Sequence, residues 1–460
     1  MYVEDTIVAP ATPPGSGAVA MVRLSGPKAR QILTSIWHPV QPGADLEPRR
    51  MCLGDIIEPD SEAHLDRAMA VFFPGPRSFT GEDVAELHCH GGVYLTRRIC
   101  ALAMRGGARM AEAGEFTRRA FLNGRIDLTE AEAISDLVAA RSEVALRQAT
   151  AQLTGVLREK ITGLRREMIA IRAHLEVEID FSDESLILPS CSEIAASIET
   201  LAKDVAILHG SFERGRLMRD GVRVAIVGKP NVGKSSILNL LLGRERAIVT
   251  DIPGTTRDVI EDAIQLGLYS LILQDTAGIR DSSDEVEKLG IARSYQSLEN
   301  SELCVAVFDS SSPVTDEDVA IAHRVRGRMG IALLNKIDLP PNVGADDLCR
   351  IESGLPFLRF SALRAEGLDN LKIELTRILE SLSDKKQSEE IAISRERHRD
   401  ALARALDALS AAKKSALSSM PPEIVAVDVS LAADALAEIT GEVNTEDVLD
   451  AVFREFCIGK

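Results

Sequence analysis

The pattern of apolar and polar positions divides the chain into three kinds of segment. From about residue 218 to residue 382, short apolar runs alternate with amphipathic stretches of helical period. Strands and helices that alternate in this way form a parallel sheet with helices on both faces. The middle segment, 218–382, is therefore predicted to be a doubly wound α/β domain.

The flanking segments have a helical period. Apolar residues on one face recur through 127–180: Ala131, Ile134, Leu137, Val138, Leu146, Leu153, Leu157, Ile161 and Leu164. Helical patterns resume near residue 389, as in Ala401 to Ala412 and Leu431 to Ile439. Because neither flank can bury its own stripe, we expect one helical domain, built from 124–217 and 383–460, that holds the α/β domain as an insertion. Its polar junctions, near Arg214 to Gly221 and Ser383 to Glu389, are expected to be flexible.

Residues 1–123 are predicted to form a third, α+β unit. Its strand candidates alternate with Pro/Gly turns: Thr6 to Ala9, Ala18 to Leu24, Met69 to Phe73 and Val84 to His88. Helical patterns follow at Val93 to Met104 and Glu115 to Leu122. The whole chain is thus expected to be a multidomain α/β protein.

A phosphate-binding loop lies near the start of the α/β domain. Gly228 to Ser235 fits the pattern G-x-x-x-x-G-K-[ST], after the apolar run Val222 to Val227 and before the helical pattern Ser235 to Leu242. Two glycines let successive N–H groups face one point, and the helix N-terminus adds partial positive charge. We predict a nucleoside triphosphate site in which Lys234 reaches the β- and γ-phosphates and the Ser235 hydroxyl binds Mg²⁺.

Two later segments indicate guanine. The run Asn335 to Asp338 (Asn-Lys-Ile-Asp) follows the apolar strand Ile331 to Leu334. The Asp338 carboxylate can accept from guanine N1–H and the exocyclic amine, a donor pair that adenine lacks. The run Ser361 to Leu363 follows the strand Pro356 to Phe360 and can present backbone N–H groups to the guanine carbonyl.

Two switch segments lie between these motifs. Asp275 to Gly278 follows the strand Ser270 to Gln274, where Asp275 would hold Mg²⁺ through water and the Gly278 N–H would sense the γ-phosphate. The loop Gly254 to Asp258 lies where a switch threonine approaches Mg²⁺. The residues expected to contact GTP are Asn231, Val232, Gly233, Lys234, Ser235, Ser236, Thr250, Asp251, Ile252, Pro253, Gly254, Thr255, Thr256, Asp275, Thr276, Ala277, Gly278, Asn335, Lys336, Asp338, Ser361, Ala362 and Leu363.

The residue after the second switch motif is Ile279, whose side chain cannot orient a water molecule. Another group must do so, and another cation must neutralise developing charge. Oxygens of Asn231 and of the loop Thr250 to Thr255 could hold a monovalent cation. Glu287 is a candidate to position water, although an acidic stretch such as Asp281 to Glu287 is more often a solvated switch face.

Composition restricts the class of protein. The formal charge of −17 argues against general affinity for nucleic acid. Seven arginines cluster before residue 126, as an ordinary solvated face or as an RNA contact: Arg97, Arg98, Arg105, Arg109, Arg118, Arg119 and Arg125. Seven scattered cysteines without a C-x-x-C pair indicate a reducing cytosol, and we find no signal peptide or apolar run of membrane length. We expect a cytoplasmic protein.

Three features outside the α/β domain could take part in chemistry. Cys457, between apolar residues and near a lysine, is either an inert thiol or a reactive one with a lowered pKa. The run His88 to His90 (His-Cys-His) suggests a metal, but alternating side chains point to opposite sides of a strand. Arg23 and Glu86 each lie in a strand candidate, where Glu86 is either a buried acid paired with a base or a ligand contact.

These residues together resemble the MnmE (TrmE) family of tRNA-modification GTPases over essentially the whole chain. The segments that resemble it are Asp5 to Ala9, Phe79 to Val84, Gly114 to Thr117, Ala120 to Asn123, Gly254 to Asp258 and Cys457 to Lys460. The resemblance implies a tetrahydrofolate-binding, homodimerising N-terminal domain, a helical domain and an inserted G domain. It also implies an FAD-dependent partner, MnmG, in a heterotetramer or a larger complex.

Such a pair adds an aminomethyl or carboxymethylaminomethyl group to C5 of the wobble uridine in certain tRNAs. The one-carbon unit comes from a tetrahydrofolate derivative, the 5-formyl or the methylene form. By the same resemblance Arg23, Glu86, Arg125 and Lys460 are folate contacts, although Arg125 stands where the family often has lysine.

The resemblance also assigns the ions and the catalytic groups. Ser235 and Thr256 correspond to Mg²⁺ ligands, Glu287 to the water-positioning glutamate, and Cys457 to the family's terminal cysteine. The K⁺ ligands correspond to Asn231, Thr250, Ile252 and Thr255. We expect two GTP-loaded G domains of a dimer to meet, to enclose K⁺ and to trigger hydrolysis.

Two alternatives remain open from the sequence. One is a regulatory GTPase that binds the ribosome or its RNA, which predicts no folate binding and no effect of Cys457→Ser. The other is a folate enzyme whose GTPase is vestigial, which the intact motif set disfavours.

Overall fold

A computed structural model describes residues 5–41, 46–181, 189–245, 262–273, 296–382, 392–418, 420–443, 445–454 and 456–460. The N-terminal unit contains strands β1 (Thr6–Pro10), β2 (Gly17–Ser25), β3 (Trp37–Pro39), β4 (Cys52–Ile57), β5 (His64–Phe73), β6 (Val84–Gly91) and β7 (Ala108–Met110). Its helices are α1 (Ala29–Ile36), α2 (Val93–Arg105) and α3 (Glu115–Leu122). The seven strands form one sheet in the order β3-β4-β5-β6-β2-β1-β7.

The two faces of this sheet differ. Val22 and Leu24 of β2 and Leu87 of β6 are buried in a core with helices α1 and α2. Because side chains alternate along a strand, Arg23 and Glu86 project from the opposite face and remain partly exposed. The sheet therefore presents a row of polar and apolar side chains on its open face.

The helical unit begins with α4 (Leu128–Ala139), α5 (Glu143–Leu153), α6 (Val156–Asp180), α7 (Cys191–Gly210) and α8 (Phe212–Asp220). It is completed late in the chain by α13 (Glu396–Leu417), α14 (Pro422–Thr440) and α15 (Glu446–Arg454). One hydrophobic core joins both parts, and it includes Ile161, Ile198, Leu402 and Leu436. Segments from both sides of the inserted unit therefore fold together.

Two expectations about this unit are wrong. Val138 and Leu146 do not belong to the buried stripe, since they are 43% and 47% exposed. The predicted continuous helix breaks between α4, which ends at Ala139, and α5, which begins at Glu143, so the apolar face of α4 does not continue to Leu146. The first junction is not flexible either, because α8 spans it and Gly215 packs against the backbone of Ile393. The second expected junction, Ser383 to Glu389, lies outside the described residues.

The inserted unit contains β8 (Val222–Val227), α9 (Lys234–Glu245), β9 (Asp262–Leu266), β10 (Tyr269–Leu273) and β11 (Leu303–Asp309). It continues with α10 (Asp316–Val325), β12 (Gly330–Asn335), α11 (Ala345–Arg350), β13 (Phe357–Arg359) and α12 (Leu368–Leu382). The sheet order is β13-β12-β11-β8-β10-β9, and every neighbouring pair is parallel except β10 with β9. Loops after parallel strands therefore meet at one edge.

Within the described part of the chain, no helix combines the length and the apolarity needed to cross a membrane.

Candidate functional site

The phosphate-binding loop turns tightly between β8 and α9. Gly233 has φ +105° and Asn231 has φ +62°, so two residues adopt the left-handed conformation within the loop. A Cβ at Gly228 would lie 2.6 Å from the carbonyl oxygen of Val307. The loop is thus packed against β11, and its glycines meet both a conformational and a steric requirement.

Lys234 lies at the first turn of α9 and points back into this loop. Its Nζ donates to the carbonyl oxygens of Gly228 and Lys229, both at 2.8 Å. Lys229 in turn donates to the buried carboxylate of Asp318 at 2.7 Å. The loop therefore holds a lysine ammonium beside a helix N-terminus, where phosphate oxygens would bind favourably.

Asn335 joins the phosphate-binding loop to the base-recognition segments. Its Nδ2 donates to the Val232 carbonyl at 2.7 Å, and its Oδ1 accepts from the Ala362 N–H at 3.0 Å. The side chain is 1% exposed. A Cβ at Gly233 would overlap the Asn335 amide, so this glycine is required for the contact.

The next residues of the same motif are held by hydrogen bonds. Ser361 Oγ donates to Asp338 Oδ1 at 2.5 Å, and this bond lowers the pKa of Asp338. Lys336 has φ +64°, and its Nζ contacts Asp309 Oδ2 at 2.6 Å. Burial opposes ionisation of Asp309, but the contacts with Lys336 and Ser311 together outweigh it and lower the pKa of that carboxyl. Asp338 is therefore an oriented, ionised acceptor for paired N–H donors.

The switch segments lie outside the described residues. They include the expected contacts Thr250, Asp251, Ile252, Pro253, Gly254, Thr255, Thr256, Asp275, Thr276, Ala277, Gly278 and Glu287.

A second candidate site lies on the open face of the N-terminal sheet. Arg23 of β2 and Glu86 of β6 are cross-strand partners, and Arg23 Nε donates to Glu86 Oε1 at 2.9 Å. The guanidinium also lies 5.6 Å from the ring centre of Phe79 and 5.8 Å from that of Phe116. An ion pair bordered by aromatic rings suits a flat polar heterocycle. The two alternatives for Glu86, structural ion pair and ligand contact, are compatible with this arrangement.

The charge of Lys460 interacts with that of Arg23 although the two residues are far apart in sequence. Burial lowers the pKa of Lys460. The charge of Cys457 opposes this shift, whereas the positive charge of Arg23 adds to it. Gly459, with φ +98°, makes this approach possible, because a Cβ there would overlap the Pro10 carbonyl. The C-terminal tail, Cys457 to Lys460, therefore packs against β1.

The remaining expected contacts lie around the same site. Ile458 forms an antiparallel β-bridge with Ala113, and the Gly114 N–H donates to the Cys457 carbonyl oxygen at 3.4 Å. Cys457 is half-buried. Arg125 is exposed, and its side chain packs beside Gly81, two residues after Phe79. Both roles considered for the Cys457 thiol stay open.

The sequence suggested a metal at His88 to His90, and the geometry does not favour it. Cys89 is buried on the helix-covered face, and burial raises the pKa of its thiol to about 11. His90 Nδ1 lies 2.7 Å from Asp66. In the portion of the chain that the structure describes, no three His, Cys, Asp or Glu side chains are grouped to hold a metal ion.

The arginine cluster is largely used in structural ion pairs. Arg109 Nη2 contacts Glu115 at 2.6 Å, and Arg119, 2% exposed, contacts both Glu115 and Asp5. Arg118 reaches Asp450 of α15 at 3.2 Å. These contacts favour the structural interpretation of the cluster over an RNA contact.

Sequence reasoning missed a buried charged cluster in the helical unit. Glu132 of α4 is fully buried and contacts Arg397 at 2.5 Å and His398 at 3.0 Å. Asp136, one turn later, contacts Arg395 at 2.7 Å. A glutamate and an aspartate four residues apart on an apolar helical face were the available signal.

Family models match most of the chain. The model described as "GTP-binding protein TrmE N-terminus" matches residues 6–125, and the "MnmE helical domain" model matches residues 128–457. Relatives named "tRNA modification GTPase MnmE" cover it end to end. That of Natranaerobius thermophilus is 41% identical over 99% of this chain, that of Clostridioides difficile 40% over 100%, and that of Moorella thermoacetica 42% over 100%. In each case the whole of the relative is covered.

Proposed function

This chain belongs to the MnmE family, and from that premise we propose that it is a GTPase that supports modification of the tRNA wobble uridine. The observation that supports the proposal best is the side chain of Asn335, which joins a phosphate-binding loop to a guanine-recognition segment. Such a joint positions the triphosphate and the base of one nucleotide together.

The proposed GTP site uses its residues in separate roles. Lys234 would exchange its bonds to loop carbonyls for bonds to phosphate oxygens, and Asp338 would accept from the guanine N–H pair. The Ser235 hydroxyl and Thr256 would hold Mg²⁺, which supplies charge neutralisation at the phosphates. The Asn231 amide oxygen, in a left-handed loop residue, is of the chemical type that suits K⁺, with Thr250, Ile252 and Thr255 as the further ligands.

We assign the second site to a tetrahydrofolate derivative. Glu86 can accept from the N3–H and 2-amino donors of a pterin ring, and the exposed ring of Phe79, close to Arg23, offers an apolar surface. Arg23, paired with Glu86, would lie beside the pterin ring. Lys460 and Arg125 would supply positive charge for the acidic part of the ligand, since folates end in glutamate carboxylates. The bound folate would supply the one-carbon unit.

The working cycle that we propose couples these sites. Two G domains of a homodimer would meet in the GTP state, which would order the loop 250–255 and direct Glu287 to the attacking water. Hydrolysis would separate them, and the helical unit would transmit the movement through the Glu132 cluster, since Arg395 and Arg397 lie near the start of the second part of the helical unit. An FAD-dependent MnmG-type partner would share the chemistry on tRNA.

Nucleoside analysis of tRNA tests the proposed function. In cells lacking this protein, we expect the C5-modified wobble uridine to disappear and to return with the wild-type chain. Lys234→Ala should not restore it, whereas Lys203→Ala, at a 71% exposed side chain, should. Unaltered wobble uridines in the deletion strain would refute the proposal.

A further inference from the structure

Glu86 has a second partner on the open face of the sheet. While its Oε1 accepts from Arg23, its Oε2 lies 3.4 Å from Nε2 of His88. His88 lies two positions further along β6, so both side chains project from the same face. The two carboxylate oxygens are therefore held by groups from different strands.

From this geometry we infer that His88 is a positioning residue of the folate site: it orients the Glu86 carboxylate for the pterin N–H pair. The inference rests on the proposed function. A carboxylate held only by Arg23 can still rotate about its terminal torsion, which has a broad energy profile. A second donor on the other oxygen removes that freedom.

The Glu86 carboxylate retains hydrogen-bond acceptor positions for a ligand. A carboxylate offers about four lone-pair sites, and Arg23 and His88 occupy one on each oxygen. Each oxygen of Glu86 thus retains one acceptor position. Two parallel acceptors match the two parallel donors of a pterin, so orientation of the carboxylate plane determines whether both bonds form.

The neighbours of His88 suit this role. Its cross-strand partners are Met21 on β2 and Met69 on β5. Thioether side chains pack against an imidazole edge without replacing its bond to Glu86. The ring is 26% exposed and Glu86 is 13% exposed, so the contact is shielded from water but reachable by a ligand.

Three substitutions separate hydrogen bonding from bulk. His88→Gln places an amide nitrogen at nearly the reach of Nε2, His88→Asn shortens that reach by one bond, and His88→Leu removes the donor. His90→Leu is the matched control, because His90 lies further along the same face and is 75% exposed. The full-length chain would be titrated with 5-formyltetrahydrofolate by calorimetry, and melting curves would verify folding.

We expect the Leu and Asn variants to bind about tenfold more weakly than wild type, since a hydrogen bond to a charged group is lost. The Gln variant should bind within about threefold of wild type, as should His90→Leu. Wild-type affinity in His88→Leu, or equal weakening in the Gln and Leu variants, would overturn the inference.

The same titration distinguishes the two proposals. If wild type itself binds no folate, the folate assignment fails and the role of His88 fails with it. If wild type binds and His88→Leu binds equally well, only the role of His88 fails.

Discussion

Asn335 holds the backbone of Val232 across 103 residues of sequence, through a bond of 2.7 Å from Nδ2 to the carbonyl oxygen. The same amide accepts from the Ala362 N–H. One buried side chain thereby sets the distance between the loop for the phosphates and the loop for the base. Ser361 then orients Asp338 within the second loop.

Replacing Asn335 with alanine should weaken GTP binding. The buried Val232 carbonyl and the partly buried Ala362 N–H lose their partner, and at roughly 1–3 kcal/mol each the affinity should fall at least about tenfold. Fluorescent GDP titration measures the effect, with exposed Asn342→Ala as the control. Equal affinities of the two variants would show that Asn335 does not organise the site.

Asp338→Asn should change the base that is recognised. An amide donates where the carboxylate accepted, so it clashes with the guanine 2-amino group and suits the extra carbonyl of xanthine. We expect GTP affinity to fall on the order of a hundredfold and affinity for xanthosine triphosphate to rise. Competition between the two nucleotides on wild type and variant checks this. A uniform loss of both would instead indicate damage to the loop that Ser361 supports.

The proposed K⁺ role predicts salt-specific turnover. GTP hydrolysis should be much faster in KCl than in NaCl at equal ionic strength, because oxygens of Asn231 and its partners select by cation size. Asn231→Ala should abolish the difference, and Glu287→Ala should keep GTP affinity but lose turnover. Phosphate release under single-turnover conditions is the measurement. Equal wild-type rates in the two salts would remove the cation from the mechanism.

The buried histidine predicts acid sensitivity. Burial and the positive charge of Arg397 lower the pKa of His398 to about 4, although the negative charge of Glu132 opposes the shift. In the unfolded chain the imidazole takes up a proton below about pH 6.5, so folded-state stability falls as the pH drops from 6.5 towards 4. At pH 5 this group should cost about 2 kcal/mol of unfolding free energy. Glu132, whose pKa is lowered by the surrounding cations despite burial, adds a further loss only below about pH 4.5.

Urea unfolding of wild type and His398→Gln at pH 7.5 and pH 5 measures this. The variant should lose less stability between the two pH values than wild type does. The same loss in both proteins would assign the acid sensitivity to other groups.

Gly459→Ala should displace the tail. The glycine has φ +98°, and a methyl group there would overlap the Pro10 carbonyl, so Lys460 should move away from Arg23. We expect 5-formyltetrahydrofolate to bind roughly tenfold more weakly, by loss of one charged contact. Gly124→Ala is the matched control, since its φ is also positive but a Cβ there would meet open space. Unchanged binding in Gly459→Ala would exclude Lys460 from the site.

Sequence alone was sufficient where function depends on consecutive residues. The loop Gly228 to Ser235 and the run Asn335 to Asp338 follow apolar strands, and parallel strands bring their carboxyl ends to one edge whatever the details of packing. The doubly wound α/β class and the family follow from such local signals. Local signals misled where a helix ended or a junction was ordered, as at Leu146 and in α8, because burial against distant segments decides both.

Contacts between distant segments were decided only by the tertiary structure. The bond from Asn335 to Val232, the approach of Lys460 to Arg23 and the pairing of Glu132 with His398 each join residues that no periodicity links. Hydrogen bonds and ion pairs depend on distances of a few tenths of an ångström, and such distances are fixed by packing of the whole core rather than by propensity along the chain.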